Sequence, residues 1–207
     1  LGDVYKRQIY RGFNHEDEMV GYYPMCTFNN NPRAASIDTP LHAYVPYPEV
    51  DHTHPDSIIA LATMKNGRDI VKKVYGNSVG WIDWQRPGFD LGLKMENLIH
   101  RNKGIIGIVL GHHGLFTWSN TSKECYSNSV DLIKRAQMYL NSSIKKYSFG
   151  KPIYKNKSNP EFEIKLITTI RGSLSNENSK ILHIDKSDIA LEFVNSTNLK
   201  KVAAIGT

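Results

Sequence analysis

Residues 50 to 56, Val50-Asp51-His52-Thr53-His54-Pro55-Asp56, constrain this chain more than any other stretch. In an extended strand, residues i and i+2 project from the same face, so His52 and His54 can bring both imidazoles to one point. Pro55 presets φ for a helix start and lacks an N–H that the first helical turn would leave unused. Asp56 sets a negative charge at the positive end of the helix expected through Ser57-Ile58-Ile59-Ala60-Leu61-Ala62. The histidine pair therefore falls where a strand gives way to a helix, a common place for chemistry in mixed α/β folds. Imidazole is a usual zinc ligand, and a catalytic zinc takes about three protein ligands with one position left open. A third ligand is available in Gly111-His112-His113-Gly114, directly after the apolar run Ile105-Ile106-Gly107-Ile108-Val109-Leu110. A bare H-x-H also fits two hydrogen-bonded or exposed histidines. The second histidine cluster, at the end of a buried strand, is what raises the weight of the metal reading.

At 207 residues the chain is long enough for one domain of ordinary size with a real core. Its 40% hydrophobic and 22% charged residues match a soluble globular protein. No apolar run approaches the roughly 20 residues that span a bilayer, and no signal-peptide pattern opens the chain. Membrane partners are not expected. Cys26 and Cys125 are too few for a disulfide scaffold and suit a reducing interior, hence a cytoplasmic location. The net charge of +6 includes Lys145, Lys146, Lys151, Lys155 and Lys157, which lack regularly interleaved aromatics. They predict a solvated, phosphate-friendly face rather than nucleic-acid binding. Residues 1 to 8, with no Met and no apolar periodicity, resemble translated adaptor sequence, and the chain is expected to be a fragment.

Along the chain, an acidic turn at 15 to 18 precedes a strand expected at 25 to 28 and an Asn-rich loop at 29 to 33. Ser36 to Val45 is expected to be a short helix or an extended piece. Helices are expected at 69 to 75, 89 to 102 and 121 to about 141, the last opened by the capping box Thr121-Ser122-Lys123-Glu124. Strands are expected at 81 to 84, at 104 to 110 and at 115 to 118. Beyond Gly150 one more helix is expected at 161 to 171, with a strand or two in 180 to 195. For Cys125, helical core spacing favours a small buried hydrophobe over a reactive thiol.

Four blocks occur in order: Ser36-Ile37-Asp38-Thr39-Pro40-Leu41-His42, Asp51-His52-Thr53-His54-Pro55-Asp56, Trp84-Gln85-Arg86-Pro87-Gly88-Phe89-Asp90-Leu91-Gly92-Leu93, and Leu110-Gly111-His112-His113-Gly114-Leu115-Phe116-Thr117-Trp118. With Thr121 to Tyr126 they resemble the class II aldolase/adducin family, over about residues 9 to 207. The branch they resemble most is the aldolase part of bifunctional rhamnulose-1-phosphate aldolase/alcohol dehydrogenases. The resemblance implies a three-layer α/β/α sandwich with a mostly antiparallel central sheet, assembled as a homotetramer. It implies residues 9 to 150 as catalytic core and 151 to 207 as an extension ahead of a dehydrogenase domain. It also implies zinc-dependent cleavage of a sugar phosphate, L-rhamnulose 1-phosphate, to dihydroxyacetone phosphate and L-lactaldehyde. The family's zinc ligands match His52, His54 and His113, while His112 stands at a position that varies. Its catalytic carboxylate, usually Glu, falls on Asp38, and Ser36 belongs to a phosphate-contacting stretch. No G-x-G-x-x-G occurs, so dehydrogenase activity is not expected of these residues.

Read without the family, Asp38 is a helix N-cap before Thr39-Pro40, His42 is structural or supports a ligand, and Tyr44 and Tyr47 serve core or interface. Arg86, beside Pro87-Gly88, reads as a loop residue rather than a phosphate contact. Two further functions stand beside the aldolase: another sugar-phosphate enzyme of the superfamily (a fuculose-phosphate aldolase, a pentose-phosphate epimerase or a dehydratase), and a non-catalytic adducin-like module.

Overall fold

The structure, a computed structural model, describes residues 8–26, 33–143, 149–153, 159–175 and 177–204. The chain divides into two compact units, Leu1–Ser143 and Ile144–Thr207. In the first, a run of 3-10 turns over Phe13–Cys26 leads to α1 (Thr39–Ala43), β1 (Glu49–Thr53), α2 (Asp56–Thr63), α3 (Gly67–Tyr75), β2 (Val79–Ile82), α4 (Phe89–Arg101), β3 (Gly107–Leu110), β4 (Gly114–Ser119) and α5 (Ser122–Ser143). The strands form one sheet in the order β1-β4-β3-β2. β1 pairs with β4 and β4 with β3 antiparallel, whereas β2 runs parallel to β3. The sheet is mostly antiparallel, as the resemblance implied.

Alternation along the two central strands makes the three layers. Ile108, Leu110, Phe116 and Trp118 pack with Leu41, Leu91 and Met95 of α1 and α4 on one face. Val109 and Leu115 pack with Ile58, Leu61, Val71 and Leu132 of α2, α3 and α5 on the other. Both faces are covered, so these strands read as near-continuous apolar runs rather than alternating ones. On β1 the same alternation turns Val50 toward the α1/α4 layer and Asp51 toward α5, where Ser129 Oγ donates to Asp51 Oδ2 at 3.1 Å.

Several elements match their expected positions, and others do not. Thr121 caps α5, its hydroxyl accepting from the Glu124 N–H at 3.3 Å, while the Glu124 carboxylate accepts from Ser119 Oγ at 2.7 Å. Cys125 is buried, and burial pushes its thiol above the ordinary range. Met25 and Cys26 close the 3-10 run instead of opening a strand, and the rest of that expected strand and most of its loop, 27 to 32, lie outside the described residues. Lys145, Lys146, Lys155 and Lys157 lie outside them too.

The second unit contains α6 (Pro160–Leu174), α7 (Asp188–Val194) and α8 (Leu199–Ala203). The strands expected in 180 to 195 are not found there: α7 occupies the second half, and the described residues of this unit show a single β-bridge, Pro152 to Ser196. Alternating apolar residues form strands only beside a partner edge. Here Ser187 caps a helix instead, accepting from the Ala190 N–H at 3.3 Å.

Candidate metal centre

Three imidazoles converge at the end of the sheet. His52 and His54 come from β1 and the residue just past it, as the period of two requires. His113 comes from the turn joining β3 to β4. That turn is tied down on three sides: Gly111 N–H donates to Ile82 O at 2.8 Å, His112 N–H to Ala62 O at 3.1 Å, and His113 N–H to Leu110 O at 3.1 Å. His112 sits at φ 56°, in the left-handed region, which reverses the chain so that adjacent side chains diverge. His113 joins the cluster; His112 lines a cavity of about 410 Å³ with Lys65, Arg68, Trp81, Asp83 and Trp84.

The His52 Nε2 lies 3.0 Å from His54 Nε2 and 3.2 Å from His113 Nε2. At its other nitrogen, His52 Nδ1 is 3.1 Å from Leu115 O. A carbonyl oxygen only accepts, so Nδ1 carries the proton and Nε2 presents a bare lone pair to its two neighbours. One in-plane lone pair cannot accept well from two donors, whereas a cation accepts three such lone pairs at once. The three nitrogens lie within 4.8 Å of one another, a set that can hold a metal ion. Phe116, directly opposite His52 in the register, stacks on its ring at 4.0 Å and 8° and so fixes the ring's plane.

Burial pulls the His52 imidazole down to about 4; His113 and His54 act in the same sense, and the Leu115 carbonyl and Asp38 carboxylate oppose them. Burial likewise lowers His113, with His54 adding to it and Asp38 opposing. Both rings therefore stay in the neutral, ligating form at neutral pH. The sign for stability follows directly. An unfolded histidine titrates near about 6.5, so between about 6.5 and 4 the unfolded chain binds more protons than the fold. The metal-free fold should lose stability as pH falls through that window. Thermal scans from pH 7 to 4 are expected to show a steeper decline for the native chain than for His52→Gln, and equal slopes would count against the buried, neutral His52.

Asp38 precedes α1, yet its side chain caps nothing. The turn is held instead by Ser36, whose Oγ accepts from the Asp38 N–H at 3.1 Å and whose carbonyl accepts from Thr39 Oγ1 at 2.7 Å. The carboxylate is thus free of the helix end, and its charge acts on His52 and His113. Its Oδ1 is buried with no hydrogen-bond partner among the described residues. Asp38 does stand at the N-cap position, its backbone carbonyl accepting from the Leu41 N–H at 2.9 Å, but its side chain takes no part in the cap. Arg86 forms an ion pair with Asp17 at 2.5 Å, Tyr44 packs edge-on against Phe89, and Tyr47 stacks on Trp118.

The glycine after His113 has a reason that spacing could not reveal. A Cβ at residue 114 would overlap the His54 ring and come 2.7 Å from Thr53 O. Gly114→Ala should therefore push His54 off the cluster. A fall of about 10- to 100-fold in metal affinity is expected, as for other changes that disturb ligand placement. Competition with a chromogenic chelator would measure it, and unchanged affinity would show that the ring can yield.

Comparison with known proteins places these features. Residues 14–140 match the family model of the class II aldolase and adducin N-terminal domain. The chain is 36% identical over 197 residues to the uncharacterized oxidoreductase YuxG of Bacillus subtilis, covering 92% of this chain but only 28% of that protein's length. The N-terminal class II aldolase domain of a conserved Thermoplasma acidophilum protein aligns with a TM-score of 0.58 and 32% identity, over 66% of this chain and 62% of that one. A sugar-phosphate aldolase from Thermotoga maritima aligns more loosely, with a TM-score of 0.46 and 17% identity over 57% of this chain and 60% of that one.

Proposed function

The chain belongs to the class II aldolase and adducin N-terminal domain family, and from that premise we propose that it carries the site of a zinc-dependent sugar-phosphate aldolase. The reaction proposed is cleavage of L-rhamnulose 1-phosphate to dihydroxyacetone phosphate and L-lactaldehyde. The observation that carries the reading is the convergence of three imidazole nitrogens beside a carboxylate that makes no helix cap. The spacings of 3.0 and 3.2 Å at His52, with all three nitrogens within 4.8 Å of one another, suit ligands that would share one divalent ion, and an all-imidazole set is a usual one for zinc.

On this reading His52, His54 and His113 are the ligands, and when bound the zinc supplies Lewis acidity to the substrate's carbonyl and hydroxyl oxygens. Asp38 is the base. It takes the proton of the C4 hydroxyl as the C3–C4 bond breaks, and a proton returned to C3 completes dihydroxyacetone phosphate. Ser36 Oγ, exposed at the head of α1, contacts the phosphate. The subunits assemble as a homotetramer. The oxidoreductase name of the Bacillus relative belongs to a protein of which this chain spans 28%.

The test combines zinc content with product analysis on L-rhamnulose 1-phosphate, L-fuculose 1-phosphate and L-ribulose 5-phosphate. About one zinc per chain and aldehyde release from the first substrate are expected. Release from L-fuculose 1-phosphate alone would change the sugar. Epimer formation without carbon–carbon cleavage would move the chain to the epimerases. Bound zinc without turnover of any of the three would favour a binding module.

A further inference from the structure

We propose that His42 is a substrate-contacting residue of this centre, donating a hydrogen bond from its imidazole to an oxygen of the bound sugar phosphate. The proposal rests on the sugar-phosphate reading above and adds a residue to it.

His42 lies four residues after Asp38, so the two side chains share one face of the first helical turn. That face turns toward the centre. The His42 ring is 6.4 Å from the His52 ring and 5.3 Å from Phe116, in both cases edge to face. Phe116 itself stacks on His52 at 4.0 Å, so the three rings form one wall beside the ligands. His42 nevertheless stands outside the converging nitrogens of His52, His54 and His113.

Three other histidines show what a nitrogen engaged within the fold looks like. His52 Nδ1 faces a backbone carbonyl, His15 Nδ1 meets Glu18 at 2.9 Å, and His100 Nε2 faces Glu96 at 3.8 Å. No hydrogen bond from a described residue reaches the His42 ring, which is exposed although its neighbour Leu41 is fully buried. The helix thus buries Leu41 to seat itself and leaves His42 open to solvent beside His52. An imidazole carries at least one N–H in every tautomer and charge state. A polyhydroxylated anion held at the three histidines offers oxygen acceptors to it. Asp38 cannot play that part, since a carboxylate only accepts.

The experiment uses the full chain loaded with zinc and titrated with dihydroxyacetone phosphate in a calorimeter, beside His42→Phe and His42→Gln. Phenylalanine keeps the ring packing and removes the donor; glutamine restores a donor. Zinc content should stay at about one per chain in all three. Binding should weaken about 10- to 100-fold in His42→Phe and recover to within about threefold of the native value in His42→Gln. Equal affinity in His42→Phe and the native chain would make His42 a packing residue and overturn the proposal. Loss of zinc from His42→Phe would overturn it differently, assigning His42 to support of the ligands. Failure of the native zinc-loaded chain itself to bind dihydroxyacetone phosphate would sink the sugar-phosphate reading, and this proposal with it.

Discussion

Replacing His113 by alanine is expected to take the bound metal from about one ion per chain to less than about a tenth after dialysis. Only His52 and His54 would remain, and His54 is exposed, so water competes freely at that side. Two imidazoles lose the chelate advantage of three, and no cysteine or fourth histidine joins the converging set among the described residues. If the ion supplies several kcal/mol of transition-state stabilisation, turnover should fall about a thousandfold or more. Elemental mass spectrometry on the native chain, His54→Ala and His113→Ala decides the matter. Full zinc in both variants would sink the ligand assignment.

The second large effect should come from Asp38→Asn. Asparagine keeps the shape and removes the charge, so the ligands stay in place while the proposed base is lost. A fall in kcat of about 10² to 10⁴ is expected, with zinc retained and KM moved by less than about threefold. Pre-steady-state and steady-state assays on the zinc-loaded variant would separate these quantities. If Asp38→Asn instead lost its zinc at an unchanged rate per bound ion, the carboxylate would serve the metal rather than the proton. The absence of a side-chain cap bond at Asp38 and the orphaned Oδ1 are what single this residue out for the test.

Much of this arrangement was legible in the sequence, because its cues are local. His52-Thr53-His54-Pro55 spells strand, converging imidazole pair and helix start in one stretch, and the run ending at Leu110 announces a covered strand delivering a turn. Helices α4 and α5 follow from apolar spacing and, for α5, from Thr121. What stayed hidden depends on neighbours far apart in the chain. Nothing near Gly114 says that its missing Cβ makes room for His54, sixty residues earlier. The stacking of Phe116 on His52 depends on strand register, and the Leu115 carbonyl that orients His52 is a backbone atom with no residue signature. The place of His42 could have been suspected from its four-residue spacing after Asp38. In 180 to 195 the apolar alternation is real, but the Ser187 cap starts a helix over Asp188–Val194, and that unit forms no strand among its described residues.

The pairing of His52 with Phe116 and of Thr53 with Leu115 also makes the centre a readout of how two strands are threaded. Slipping β1 by one position against β4 would turn the histidines to the α5 side and bring Asp51 and Thr53 to the place they left. A mispaired chain would keep its sheet hydrogen bonds but present a carboxylate and a hydroxyl where ring nitrogens are needed. Capture of an ion by all three histidines would therefore favour the same threading that seats Val50 in the α1/α4 layer, adding a polar check to the apolar one.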